Sequence, residues 1–391
     1  MEQYAIRPLS LMSASEQKIV CNRPINFGSL SSHPRMVWDF PLTMLIRQKY
    51  IPKSMAYVSV DGGATKTLAA CYDDDGKILG VAANGPSNFR NIGTENAASN
   101  IRDAVLNSVE RAGINKTEIE KITFALAGVK DSQKSTEIIE TFIQKLELKL
   151  PYTLLNDGEA GYNCRFFRED GIIAAPGTGM IAYGKSGNRF DRTSGWGWLI
   201  GDEGGAFYIG RRSLQEAAKI ADGRTSGESQ FLATLMKFFS VAEPRQLVNE
   251  VYSNPINIRR IASIARIVSG LSASGDEKAQ EILHEAATEA GKCVISLLKK
   301  FDNASLEVSG YGGVYRAGDI YWNKVKETVR KEYPETGFRK PLYGYHAVLG
   351  SIYLVLQDAG KTEINTAKIE ADFNRKIEML PSEEKANYLF M

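Results

Sequence analysis

From Met55 onward the chain alternates short apolar runs with turns rich in glycine. Runs rich in β-branched residues and bounded by Gly, Asn or Asp predict strands. Apolar residues recurring every three to four positions predict helices. AYVSVD predicts a buried strand at 57–61, TLAACYD a second and ILGVAA a third. The connections GGATK and DDDGK are short, and Asp-Gly between apolar runs signals a hairpin, so three successive antiparallel strands are expected. A helix at 94–112, a strand ITFALAG, a helix at 132–146 and a strand YTLLND follow. Strands separated by helices pair in parallel. After Asp157 the pattern restarts: IIAAPGTGMIAYG reads as strand, turn and strand, and NRFDRTSG as a third strand. A mainly helical block covers 205–301. Then come the strand SLEVSG, the turn YGGVYRAG and two helices, the last at 344–357. Strand, glycine–threonine turn and strand thus occur twice, a repeat of organisation rather than of residue identity.

Residues 1–54 differ. They contain one glycine of the chain's 35 and five of its 13 prolines, and no sustained period of 2 or 3.6. They are expected to be an irregular, dispensable extension, with an ordered arm as the alternative. Beyond it, 55–157 and 158–357 are expected to be two α/β domains, the last helix of the second packing back on the first. The tail 358–391 carries twelve charged residues in 34 and reads as a surface helix with frayed ends.

Composition excludes several classes. With 391 residues, 43% of them hydrophobic and 24% charged, the chain is long and apolar enough for a sizeable core. Its net charge of +2 points to neither nucleic acid nor an anionic membrane surface. No apolar run is long enough to span a bilayer. The first residues lack a basic region followed by an apolar stretch, so no secretory signal is expected. Cys21, Cys71, Cys164 and Cys293 show no metal-ligand or CxxC spacing and are expected to be free thiols in a reducing cytoplasm. His33, His284 and His346 are too scattered for a three-histidine zinc site.

Candidate chemistry sits in three small-residue turns, each ending a strand. The first is Asp61-Gly62-Gly63-Ala64-Thr65-Lys66-Thr67, the second Pro176-Gly177-Thr178-Gly179, the third Ser309-Gly310-Tyr311-Gly312-Gly313. Glycines let the backbone approach a ligand, hydroxyls add donors, and a lysine neutralises phosphate. A carboxylate such as Asp61 at a strand end can hold Mg²⁺ or its waters. Any one of these turns could be a plain tight turn. Three together suggest a nucleotide held between two halves of the chain. No histidine adjoins them, so a carboxylate must serve as any base. Asp157 ends YTLLND and is the candidate, with a helix N-cap as its alternative. Asp202 and Glu203 in GDEGG are either a cap or a site for sugar hydroxyls. Trp196 and Trp198 in GWGW read as core packing. Asn88 in GPSN reads, on its own, as a turn residue.

The turns in this order resemble those of the sugar kinase, Hsp70 and actin superfamily. DGGATKT, GPSN, LAGV at 126–129, ND at 156–157, PGTGM, GWGWLIGDEGGAFYIG and GYGG resemble the N-acetylglucosamine kinase and BadF/BadG/BcrA/BcrD ATPase family, over about 57–357. The resemblance implies two ribonuclease-H-like, actin-like ATPase domains about a cleft. It implies ATP with Mg²⁺ on Asp61, phosphates cradled by Gly62, Gly63, Thr65, Lys66, Thr67, Gly177, Thr178 and Gly179, and adenosine against Gly312 and Gly313. It also implies Asp157 as catalytic base and Asn88, Asp157, Trp196, Asp202 and Glu203 as sugar contacts. The expected activity is ATP-dependent phosphorylation of a hexose, amino sugar or sugar acid, in a cytoplasmic homodimer. Arg90, Arg192 and Lys185 are candidate partners for a sugar acid's carboxylate. A BadF-type activator ATPase is the alternative, disfavoured because no cysteines are closely spaced for an iron–sulfur cluster. A non-catalytic sugar sensor is a third.

Overall fold

The computed structural model describes residues 55–389, apart from 131, 226–228, 253–255, 343 and 345. The expectations for residues 1–54, with Cys21 and His33, lie outside the described residues.

Two mixed sheets organise the fold. The first joins β1 (Ala56–Gly62), β2 (Thr67–Asp73), β3 (Ile78–Asn84), β4 (Ile119–Leu126) and β5 (Tyr152–Asn156) in the order β3-β2-β1-β4-β5. β1 is buried along its whole length because it is central and covered on both faces. It pairs antiparallel with β2 and parallel with β4. At the β2–β3 hairpin, Gly76 takes a φ of +80° and the Asp73 carboxylate accepts the Asp75 and Lys77 N–H groups, which is why DDDGK turns there. The second sheet joins β6 (Gly171–Pro176), β7 (Met180–Ser186), β8 (Arg189–Ser194) and β9 (Val308–Gly310) in the order β8-β7-β6-β9. Three antiparallel strands followed by a parallel one therefore occur in both sheets, which gives the repeat read in the sequence a topological basis.

Helices cover the sheets. On the first sheet lie the short α1 (Phe89–Ile92), α2 (Thr94–Ala112) and α3 (Gln133–Gln144). α2 buries Ala97, Ile101, Ala104, Val105 and Ser108 along one stripe, and packs mainly across β3 and β2. α4 (Asp157–Phe166) connects the two sheets in the chain. The second sheet packs against a helical layer of α5 (Ala206–Ala221), α6 (Ser229–Phe239), α7 (Leu247–Val251), α8 (Ile258–Ala262), α9 (Ile264–Ala273), α10 (Glu277–Phe301) and α11 (Asp319–Arg330). α10 is its spine, with alanines and leucines buried along 25 residues.

The last segment returns to the first sheet. α12 (Ala347–Asp358) places Val348, Leu349 and Ile352 against Tyr57, Leu68 and Tyr72 of the first sheet. The tail is not a surface helix. It forms α13 (Thr366–Glu378) and α14 (Ser382–Leu389), and Ile369, Phe373 and Ile377 of α13 are buried in the same cluster. Their spacing of four is an apolar stripe, which the charged residues around it obscure. Among the described residues no helix is long and apolar enough to cross a membrane.

Candidate active site

Two cavities meet at the glycine-rich turns. One, of about 540 Å³, is lined by Asp61, Asn88, Asp157, Trp196 and Asp202. The other, of about 660 Å³, is lined by Ala206 and Ile209 of α5, Arg259 and Ala262 of α8, Arg266 of α9, and Val314 and Arg316. Thr65, Gly177, Thr178 and Gly313 line both. They form a seam to which all three turns contribute. Across it the Thr65 and Thr178 hydroxyls hydrogen-bond at 2.9 Å.

The turns leave room where a ligand would need it. A Cβ added to Gly63 or Gly177 would meet no protein atom within 4 Å, yet both residues line cavities. Bare backbone facing open space is what a polyphosphate requires. Gly179 is constrained differently, since a Cβ there would run into the Asp202 carboxylate. Ala206 and Phe207 at the start of α5 donate their N–H groups to the Gly177 and Thr178 carbonyls. GDEGG is thereby docked on PGTG, although 24 positions separate Thr178 from Asp202.

Asp61 and Lys66 are buried together at the end of β1 and the start of β2. Burial pushes the Asp61 carboxyl up against the opposing pull of Lys66. Burial likewise pushes the Lys66 ammonium down, Asp61 opposes this, and the Arg316 charge adds to it. Lys66 Nζ donates to the Gly344 carbonyl at 2.7 Å, and the Tyr311 hydroxyl donates to that same carbonyl at 3.1 Å. Asp202 holds a left-handed φ of +63°, uncommon for a residue other than glycine, and accepts the Gly197 N–H at 3.1 Å. Burial raises its pKa, the Gly197 N–H opposes this, and the Glu203 charge adds to the rise.

Several sequence readings are refined. Asp157 neither ends β5 nor caps α4: it is the first residue of α4, and Asn156 is the cap. Asn156 Oδ1 accepts the Gly158 N–H at 2.9 Å and the Tyr183 hydroxyl at 2.8 Å, and its Nδ2 donates to the Val129 carbonyl at 2.7 Å. This buried knot ties β7, the 126–129 segment and α4 together and carries Asp157 to the cavity. The only trace of it in the sequence is an Asn–Asp pair at a strand end. Asn88 lines the cavity and also caps α1, its Oδ1 accepting the Arg90 N–H at 3.1 Å. Both tryptophans line the first cavity, but they differ in exposure: Trp198 packs on Phe207 with ring centroids 5.1 Å apart, whereas Trp196 is 74% exposed. Lys66, Gly179, Gly312 and Gly313 also line the first cavity.

Gly62, Thr67 and Glu203 do not line either cavity. Gly62 is glycine because a Cβ would collide with Ser87. The Thr67 hydroxyl donates to the Gly85 carbonyl at 2.8 Å, fastening β2 to the end of β3. Arg90 and Arg192 line the first cavity, while Lys185 pairs with Asp170 at 3.3 Å. The arginines of the second cavity escaped the sequence reading, since no glycine or acidic pattern marks them.

The chain is 29% identical over 287 residues to an N-acetylmuramic acid/N-acetylglucosamine kinase of Clostridium acetobutylicum, an alignment spanning 72% of this chain and 92% of that protein. It is 23% identical to an N-acetyl-D-glucosamine kinase of Dictyostelium discoideum, over 71% of this chain and 91% of that one. Its fold matches the crystal structure of a protein named as an N-acetylglucosamine kinase from Chromobacterium violaceum. That match has a TM-score of 0.60 and 21% identity, over 78% of this chain and all of that one. A protein from Porphyromonas gingivalis with the same designation gives 0.61 and 17%, over 76% and 98%. Residues 58–354 match the sequence profile of the BadF/BadG/BcrA/BcrD ATPase family, and the chain belongs to that family.

Proposed function

We propose that the chain is an ATP-dependent sugar kinase acting on an amino sugar of the N-acetylglucosamine type. The observation that carries this reading is the seam. A carboxylate-lined cavity and an arginine-lined cavity share the Thr65–Thr178 contact and the glycines beside it. A sugar in the first and a nucleotide in the second would face each other across a strip suited to phosphate. The kinase names of the relatives agree with it. On this reading the sheets are the centres of two ribonuclease-H-like lobes, 55–157 and 158–357, which close on the sugar and exclude water.

In the proposed reaction Asp157 accepts the proton of the attacking hydroxyl. The hydroxyl oxygen forms a bond to the γ-phosphorus, the bond to the bridging oxygen breaks, and ADP leaves with the electron pair. Asn88 and Asp202 orient the sugar by hydrogen bonds, and Trp196 covers one face. The buried Asp61 carboxylate suits Mg²⁺, which when bound neutralises phosphate charge. Asp61 would hold it through an oxygen or a water.

A sugar acid is the second reading, favoured by Arg90 and Arg192 in the same cavity as Asn88 and Trp196. The test is ADP release by the purified protein with glucose, glucosamine, N-acetylglucosamine, N-acetylmannosamine, N-acetylmuramic acid and 2-keto-3-deoxygluconate. Strong stimulation by an amino sugar supports the proposal. Sugar-independent hydrolysis of ATP by a coloured protein would replace it with the activator-ATPase reading.

A further inference from the structure

We propose that Arg316 is the donor-side cation of this site, holding the terminal phosphates of the nucleotide at the seam opposite Lys66. This rests on the nucleotide occupying the larger cavity. Arg316 lines that cavity together with Thr65, Gly177, Thr178 and Gly313, the four residues of the seam. No carboxylate is among the described residues lining this cavity, so its charge suits an anion. Arg316 is near enough to Lys66 for its charge to disfavour protonation there. An anion between two such cations relieves their repulsion, and a di- or triphosphate is the anion the adjoining glycine turns can admit.

The backbone that presents Arg316 is held firmly. It belongs to a 3-10 turn, Gly313–Ala317, whose Val314 and Tyr315 are buried. The Tyr315 ring meets Tyr321 and Trp322 edge-on, with centroids 5.5 and 5.4 Å away, and its hydroxyl donates to the Ala174 carbonyl at 3.2 Å. Ala174 lies on β6, two residues before the PGTG turn. The turn carrying Arg316 is therefore registered against the turn that flanks the phosphates. Preorganised charge of this kind costs little reorganisation during reaction. As the bridging bond breaks, the electron pair moves onto the β-phosphate of ADP, the side on which Arg316 stands.

The experiment is calorimetric titration of the full chain with ATP, ADP, AMP and adenosine in the presence of Mg²⁺, comparing wild type, Arg316→Ala and Arg316→Lys. Loss of a charge-assisted contact predicts roughly 10- to 100-fold weaker ADP and ATP binding in Arg316→Ala, with less than about twofold change for adenosine. Arg316→Lys should fall between, and it carries the test alone if Arg316→Ala does not fold. Unchanged ADP and ATP affinity overturns the proposal, and so does an equal loss for adenosine, which would mean a damaged cavity. Wild type that binds no adenine nucleotide overturns the kinase reading and this inference together. Wild type that binds normally while the variants are unaffected overturns this inference alone.

Discussion

The hydroxyls of Thr65 and Thr178 lie 2.9 Å apart although 113 positions separate them in the chain. One belongs to the β1–β2 turn of the first sheet and the other to the β6–β7 turn of the second. This hydrogen bond thus spans the place where the turns of the two sheets meet. If both hydroxyls serve one phosphate group, Thr65→Val and Thr178→Val should be non-additive. Each alone is expected to lower kcat/KM for ATP about tenfold, and the double variant little further. Additive losses in a double-mutant cycle would mean that the pair does not act as a unit.

Asp157 and its neighbour should separate catalysis from folding. Asp157→Asn cannot take a proton, so kcat should fall about 10²- to 10⁴-fold with ATP affinity little changed. Stability should hardly change, because the helix cap is Asn156. Asn156→Ala removes that cap and strands the Val129 carbonyl and the Tyr183 hydroxyl, and should cost about 2 kcal/mol or more. Urea titration and steady-state kinetics on both variants read the two effects. Near-normal turnover in Asp157→Asn would leave Asp202 as the next carboxylate to test.

The two tryptophans of GWGW should respond oppositely to truncation. Trp198→Ala opens a gap beside Phe207 and should destabilise by about 3 kcal/mol. Trp196→Ala should leave the melting temperature within a degree or two and weaken sugar binding. In wild type, bound sugar should shift Trp196 emission to shorter wavelength as its exposed ring is covered. A sugar-induced shift that persists in Trp196→Ala would assign the signal elsewhere.

The C-terminal helices are expected to be part of the folded core. Arg111 Nη2 bonds Glu384 of α14 at 2.5 Å, and Glu384 also accepts the Ala83 N–H at 2.8 Å. Burial raises the Glu384 pKa, but the Arg111 hydrogen bond, the Ala83 N–H and the Arg111 charge outweigh it and hold the group below its ordinary value. A depressed carboxylate stabilises the fold above the unfolded pKa, about 4.3 for Glu, and that contribution fades as pH falls through the lower folded value. Glu384→Gln should therefore lower stability at pH 7 by no more than about 1 kcal/mol, the pair being partly exposed. The difference from wild type should vanish toward pH 3. Removing residues 362–391 exposes the Ile369–Phe373 patch partner surface on the first sheet and should abolish cooperative unfolding. A cooperative transition at the wild-type temperature would return the tail to the surface.

Local pattern alone determined the strands and the turns. β2 spans Thr67–Asp73 and α2 spans Thr94–Ala112, the ranges that the apolar runs and periodicity mark out. This works because period, β-branching and turn chemistry are properties of neighbouring residues. The glycine turns were legible for the same reason, since Gly63 and Gly177 are glycines for the sake of the space beside their own backbone. What only the tertiary structure decided depends on partners distant in sequence. The Asn156 cap is held by Val129 and Tyr183, each 27 positions away. Both tryptophans line the cavity, but Trp198 is half-buried because Phe207 is beside it, whereas Trp196, two residues earlier, stays exposed. The charged tail became core because β3 and α12 present an apolar surface for α13 to cover. Arg316 lines the second cavity beside Tyr315, which is anchored to β6 by a contact between residues 141 positions apart that no local pattern encodes.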